Sequence, residues 1–421
     1  MLREVTHPTR TAAGLAALIA GYSFAPFLPH LVAARLGYAG TPADDLHTFY
    51  YAAVVLRGGG NPYNLSELSA SAKGYVYPFL YPPTSLPIFR PLALGGMNAS
   101  FLGFQFISFL CLAYMLFVVI RTAQEEEWPM GWRMVGLASL ASFSAIPLTF
   151  QAGQVNFMAT AAILFAWMSV RQSDLRGGRE VACAVALLVA TLLKTYPVLL
   201  LIVFLVRGDF KVVAWFAALM AADVLLAWLT IPHEVWRAWI VNVMPTGRFG
   251  ATTFGLYPPS AAWNQSLNGA LSRIVGTHTT AALGPFVQAA VLGFAAAVCW
   301  TFRRRPRREF YDLGFGTILT VTFLIAPVSW FHHFVFLIPA LAACASILNR
   351  SDRRDSIGWC SALIISTILI AVTWPTINTH PNHQVIDAIT MTLPILGPLG
   401  LFAMFAILPF ELWWRPARSP A

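Results

Sequence analysis

Two adjacent aspartates, Asp44 and Asp45, sit in TPADDLHTFYYAAVVLRGGGNPY (residues 41–63), just after a long apolar run near 12–34. A carboxylate beside a low-dielectric surface has its pKa pushed up, which suits a general base. It suits equally the N-cap of a following helix, where Asp is favoured; one aspartate can cap while the other acts. Lys194, one of three lysines, is set in ATLLKTYPVLL, where a cation either snorkels to the surface or meets an anion. His332 and His333 follow a proline and a tryptophan in PVSWFHH. Neighbours on a helix point about 100° apart, so one of the pair can face a ligand while the other packs. Gln154 and Asn156 in AGQVNF, and Asn264 and Gln265 in AAWNQSLNG, are neutral amides that either read hydroxyl groups or serve the fold. The stretch YVYPFLYPPTSLP (75–87), which ends its tyrosines at Tyr81, is stiff and extended because proline restricts itself and the residue before it. It fits an aromatic belt at a membrane surface or the wall of a sugar or lipid site.

These groups need a scaffold, and the composition says which kind. Of 421 residues, 57% are hydrophobic and 11% charged, against roughly 25% charged in soluble domains. Apolar runs of about 20 residues, enough to cross a bilayer, recur along the chain, and the short alternating strands of a membrane barrel are missing. The expected fold is all-α and polytopic, one integral membrane domain over residues 1–421. Crossings are expected near 12–34, 99–121, 133–150, 154–170, 181–193, 195–206, 211–231, 281–302, 313–328, 334–348, 357–374 and 386–408. The proline-rich run 83–96 is too short to cross and reads as a half-helix, tolerated only where protein or a wet cavity covers its backbone. The pair 181–193 and 195–206 is short enough to be a kinked hairpin.

The basic segments RQSDLRGGRE, RGDFK, FRRRPRREF, NRSDRRDS and WWRPARSP fall on one side of this arrangement. The positive-inside rule makes that side cytoplasmic, with the termini (1–11 and 409–421) inside. The net charge of +9 therefore reports orientation, and nucleic acid is not an expected partner. The first loop (35–98), the long loop 232–280 and the motifs around Gln154, Lys194 and His332 then converge on the outer face. After the first crossing, LHTFYYAAVVLRG carries Leu46, Phe49, Tyr50, Ala53 and Val54 at helical spacing, the pattern of an amphipathic helix lying in the interface. Five acids face outward, Asp44, Asp45, Glu67, Glu234 and Asp387, while Asp223 within a crossing reads as a buried, paired structural group. The five cysteines all lie in apolar segments without a CxxC pair, so neither disulfide nor metal is expected. No P-loop, GxSxG or HExxH appears. An enzyme built this way needs an activated substrate that is itself in the membrane.

In order along the chain, DLHTFYYAA…GGGNPY, YVYPFLYPP, GQVN, LLKTYP, NQSLNG and SWFHH resemble glycosyltransferase family 87 of the GT-C superfamily, over roughly residues 12–350. The resemblance implies a GT-C-like bundle of about twelve helices in the cytoplasmic membrane, with its active site on the outer face. It implies a polyprenyl-phosphate sugar donor, with mannose the family's usual sugar, and a lipid or glycan acceptor. No cofactor or metal is required. The family's pattern of an acid, a hydrophobic residue and an aromatic–Tyr pair falls on Asp45, Leu46, Phe49 and Tyr50, making Asp45 the general base of an inverting displacement. Lys194, His332 or His333, and Arg248 would steady the leaving phosphate. Tyr50, Tyr81, Gln154, Asn156, Asn264 and Gln265 would contact sugar or acceptor. The half-helix 83–96 and the short pair 181–206 would leave a groove for the lipid chain. A transporter or flippase of lipid-linked sugars is the alternative, although transporters usually carry repeat symmetry and midplane ionisable sites.

Overall fold

The computed structural model describes residues 44–141, 143–171, 178–253, 257–351, 357–371 and 392–413. The expected crossing at 12–34 and Asp387 lie outside the described residues. Among the described residues the fold is helical throughout, with a single isolated β-bridge between Thr253 and Tyr257. The helices are α1 (Asp44–Arg57), α2 (Leu65–Ala72), α3 (Leu86–Phe89), α4 (Met97–Glu125), α5 (Met130–Ala141), α6 (Ala145–Ala152), α7 (Asn156–Arg171), α8 (Arg179–Leu193) and α9 (Leu201–Arg207). They continue as α10 (Phe210–Thr230), α11 (His233–Ala238), α12 (Leu267–Val275), α13 (Thr277–Thr301), α14 (Arg307–Ile325), α15 (Ile338–Asn349), α16 (Ile357–Ala371) and α17 (Leu396–Trp413).

Five helical segments among the described residues are long and apolar enough to cross a membrane: Met97–Glu125, Phe210–Thr230, Thr277–Thr301, Phe331–Asn349 and Leu393–Glu411. The chain is an integral membrane protein. Other expected crossings are broken into shorter pieces. The 133–150 run divides into α5 and α6, and 181–206 divides at Lys194, whose extended backbone (φ −151°, ψ 122°) ends α8 before a 3₁₀ turn at Tyr196–Leu200. The 83–96 run is a four-residue helix between two 3₁₀ turns, Pro83–Ser85 and Arg90–Leu94. Ser85 Oγ donates to the carbonyl of Leu192 at 2.5 Å, so this piece is tied to the end of α8 where a lipid groove was expected. The expected interfacial helix α1 buries Leu46, Phe49 and Ala53 against protein, with α3, α4 and the 90–94 turn as neighbours. These side chains had been assigned to the membrane surface; the half-helix covers them instead.

At the centre stands α14, buried on every face from Phe310 to Ile325, with Asp312 paired and the hydroxyls of Thr320 and Thr322 bonded back to the helix's own carbonyls. Two glycines let its neighbours approach. A Cβ on Gly314 would lie 2.6 Å from Val203 Cγ1, and one on Gly316 would lie 2.1 Å from Phe405 Cζ, so α9 and α17 press directly on the backbone. By contrast α10 and α13 leave Trp215, Leu226, Leu229, Phe286 and Trp300 exposed, the lipid-facing rim of the bundle. Asp223 on α10 leaves Oδ2 without a hydrogen-bond partner among the described residues, so its expected pairing is not found.

One end of the bundle holds a buried ion cluster that sequence analysis did not single out. Arg171, at the end of α7, donates from Nε to Asp312 Oδ1 at 2.7 Å and from Nη2 to Glu126. Arg350 reaches Asp312 Oδ2 at 2.5 Å and Glu126 Oε1 at 3.1 Å, Arg308 adds a 3.1 Å contact to Glu126, and Trp167 Nε1 donates to Asp312 Oδ1 at 3.0 Å. The side chains of Arg171 and Asp312 are wholly buried. Removing one member of such a cluster strands the others without water, at about 3–5 kcal/mol. Asp312→Ala is therefore expected to lower stability by that amount in detergent unfolding. Arg121→Ala, which breaks an exposed i,i+4 pair with Glu125, should change it by less than about 0.5 kcal/mol.

Candidate active site

At the opposite end, breaks in several helices open a cavity of about 360 Å³ lined by Asp45, Tyr81, Gln154, Lys194, His332 and His333, among others. Each residue arrives by an identifiable local device. Asp45 lies in the first turn of α1, and Thr48, one turn on, donates to the carbonyl of Tyr77 at 3.0 Å, fixing the extended 75–82 stretch beside the acid. Gly153 ends α6 in the left-handed conformation (φ +64°), and the returning N–H groups of Gly153 and Gln154 reach Phe150 and Thr149. This is a C-terminal helix cap that needs glycine. It turns Gln154 into the cavity. Lys194 enters at the α8 break. His332 and His333 open a 3₁₀ turn (Phe331–Leu337) that precedes α15.

The electrostatics of the cavity centre on Lys194. Its Nζ stands 3.2 Å from His333 Nε2 and 5.4 Å from the centre of the Tyr81 ring. Burial pulls the ammonium pKa down to about 8, with the Asp45 carboxylate opposing the shift. Tyr81 is pushed well above its ordinary value by burial, then by the charge of Asp45, so its hydroxyl stays protonated. His333 Nδ1 lies 3.3 Å from the Trp330 backbone nitrogen and its Nε2 lies 3.2 Å from Lys194 Nζ, so the imidazole ties the cation to the 330–333 turn. Among the described residues, His332 Nε2 and Gln154 Oε1 are buried with no hydrogen-bond partner, which leaves polar capacity in the cavity.

Other residues expected at the site do different things. Asn264 is almost fully buried and its side chain holds a turn: Nδ2 donates to the carbonyls of Pro259 (3.0 Å) and Pro327 (3.2 Å), while Oδ1 accepts from Ser329 N (3.0 Å) and Ser266 Oγ (2.8 Å). Gln265 donates from Nε2 to Ala262 O at 2.7 Å and from its backbone to Ser329 O at 2.7 Å. Asn156 Nδ2 donates to the carbonyl of His332 at 2.9 Å. These three amides sit behind the wall and shape it. Tyr50 donates to Gly95 O at 3.3 Å and Arg248 to Pro245 O at 3.1 Å; neither lines the cavity. Of the expected outward acids, Asp45 lines it, whereas Glu67 accepts from Asn61 N and Asn64 Nδ2 at 2.8 Å each and Glu234 is in the first turn of α11. The Asp44 side chain lies outside the described part of the structure. Sequence analysis missed Thr48, Tyr196, Tyr257 and Trp330 as lining residues; Tyr196 and Trp330 lay inside the motifs LLKTYP and SWFHH, but Tyr257 carried no signal.

The family model of glycosyltransferase family 87 matches residues 79–327, more than half of the chain. The chain belongs to glycosyltransferase family 87. Its matched region takes in Tyr81, Gln154 and Lys194 of the cavity, while Asp45, His332 and His333 lie on either side of it. Among curated proteins, it is 24% identical over 331 residues to a polyprenol-phosphate-mannose-dependent alpha-(1-2)-phosphatidylinositol mannoside mannosyltransferase of Mycobacterium tuberculosis, covering 75% of this chain and 72% of that one. It is 27% identical over 312 residues to a polyprenol-phosphate-mannose-dependent alpha-(1-2)-phosphatidylinositol pentamannoside mannosyltransferase of Mycolicibacterium smegmatis, covering 70% and 68%. No solved structure matches. This family 87 enzyme is thus a glycosyltransferase whose candidate site is the cavity around Asp45 and Lys194.

If Asn264 braces that wall, Asn264→Ala leaves the Ser329 N–H and the Pro259 carbonyl short of a partner, while Asn268 still serves Pro327. The expected cost is roughly 1–3 kcal/mol, read as a lowered unfolding midpoint in detergent, with donor and acceptor KM both raised rather than one alone.

Proposed function

We propose that this enzyme transfers mannose from a polyprenyl-phosphate carrier to a hydroxyl of a glycolipid acceptor, by single displacement with inversion at C1, on the outer face of the cytoplasmic membrane. The observation that carries the reading is the placement of an acid, Asp45, and a buried cation, Lys194, in one cavity with the Tyr81 ring beside the cation. The printed activities of the relatives supply the sugar, the carrier and the lipid class of the acceptor. The GT-C-like bundle of about twelve crossings, with α1 at the outer surface, belongs to the same proposal.

Asp45 takes the proton of the acceptor hydroxyl as that oxygen attacks the anomeric carbon. The bond from C1 to the carrier's phosphate oxygen breaks on the opposite face, and the negative charge that grows there is met by Lys194, which His333 holds in place at 3.2 Å. A cation and hydrogen-bond donors held in a dry cavity stabilise developing charge without reorganising. Gln154 and His332 offer the sugar hydroxyls the polar atoms that the protein leaves unused. The transporter alternative has less support, because the activities of the relatives are mannosyl transfers.

Two outcomes follow. Asp45→Asn should cut transfer from polyprenyl-phosphate mannose by about 10²–10⁴-fold while labelled donor still binds; turnover close to wild type would remove Asp45 from the mechanism. The second concerns pH. Lys194 is a cation below about 8 and loses its proton as pH rises through that value. For the free enzyme, kcat/KM for the donor should therefore decline above pH about 8, approaching tenfold per unit, and Lys194→Arg should abolish that decline because its guanidinium stays charged.

A further inference from the structure

We infer that a run of aromatic rings at the mouth of the cavity, Tyr75, Tyr77, Tyr257, Trp330 and Trp263, forms a binding rail for the pyranose rings of an acceptor glycan, so that the enzyme prefers acceptors already carrying several sugars. The inference rests on the proposed glycosyl transfer and names its acceptor class. Tyr77, Tyr257 and Trp330 line the cavity, and the other two carry the run outward. Ring centres are 5.4 Å apart for Tyr75–Tyr77, 6.2 Å for Tyr77–Tyr257, 5.3 Å for Tyr257–Trp330 and 6.5 Å for Trp330–Trp263.

Several physical points converge on a sugar chain. At the outer ends, Tyr75 is 64% exposed and Trp263 40% exposed, although aromatic surface left in water is costly. The backbone beneath the rings is nevertheless fixed: Thr48 holds Tyr77, the Thr253–Tyr257 bridge holds Tyr257, and Asn264 and Gln265 both bind Ser329 beside Trp330. A preorganised surface binds without paying for ordering. Aromatic faces carry negative potential, which attracts the polarised C–H groups on one face of a pyranose and leaves its hydroxyls to water. The five side chains include no ionised group, so a neutral saccharide fits better than an anionic polymer. Finally, a cavity of about 360 Å³ is near the small end of ligand sites, roughly 300–1,000 Å³. Once the reacting sugars fill it, further units of the acceptor must leave along the mouth, where the rings are.

The test uses the full chain in nanodiscs, polyprenyl-phosphate mannose as donor, and octyl glycosides bearing one, two or three mannose units as acceptors. For the wild type, acceptor KM should fall with each added unit. Tyr75→Ala and Trp263→Ala should each raise KM for the three-unit acceptor roughly 2- to 10-fold, far more than for the one-unit acceptor, with Tyr75→Phe and Trp263→Tyr largely restoring it. Equal effects on all three acceptors would overturn the rail, as would a change confined to donor KM or to membrane partitioning, which would make the rings a membrane seat. Equilibrium binding of free mannotriose separates the two proposals. Should the wild type transfer to none of the acceptors yet bind mannotriose, with the binding weakened in both alanine variants, the rail stands and the transfer reading fails. No mannotriose binding and no length dependence together would refute the rail.

Discussion

The buried ion cluster of Arg171, Asp312, Glu126 and Arg350 is the constraint on which the rest of the structure hangs. Ions removed from water are tolerated only when every partner is held in place, so the cluster locks the ends of α4, α7, α14 and α15 to one another. Three of these helices, α7, α14 and α15, deliver something to the other end of the bundle. Asn156 begins α7, the turn held by Asn264 leaves α14, and the histidine turn enters α15. A helix the length of α7 spans about 24 Å. A rigid lock at one end therefore sets the cavity at the other, with no need for strong bonds within the cavity itself.

That division suits a site which must keep polar groups unused. A carboxylate, an ammonium and two imidazoles line this low-dielectric cavity, and their spacing depends on the walls keeping their shape. The walls do so through groups that touch no ligand: Thr48 on the carbonyl of Tyr77, Ser85 on Leu192, and Asn156 on His332. Helix breaks do the same work. Extended backbone at Lys194 and left-handed backbone at Gly153 carry side chains into the cavity that an unbroken membrane helix would send into lipid or core.

Much of this was legible in the sequence. Apolar runs announced a membrane protein, and the order of short motifs announced the family. The acid after the first apolar run, the tyrosine wall, GQVN, LLKTYP and SWFHH were singled out, and Asp45, Tyr81, Gln154, Lys194, His332 and His333 meet in one cavity. The amides were harder. Asn264, Gln265 and Asn156 look like hydroxyl readers because their side chains can read hydroxyls, but a buried amide serves a carbonyl equally well, and composition does not distinguish the two. The ion cluster escaped because its arginines lie in basic segments that the positive-inside rule explains without any pairing, and its acids, Glu126 and Asp312, are distant from Arg171 and Arg350 in sequence.

What the sequence determined by itself is chemical inventory and periodicity. Residue types fix which groups can give or take a proton, apolar length fixes that the helices belong in a bilayer, and proline and glycine fix where helices must break. Tertiary structure decided which of those groups share a cavity and which turn away to hold backbone. It also decided that Leu46, Phe49 and Ala53 of α1 are buried against protein, and that Tyr257, unmarked in its loop, stands against Trp330 at 5.3 Å. The physical reason is that hydrogen bonds and ring contacts are short-ranged: a partner tens or hundreds of residues away becomes a neighbour only after packing has closed the distance.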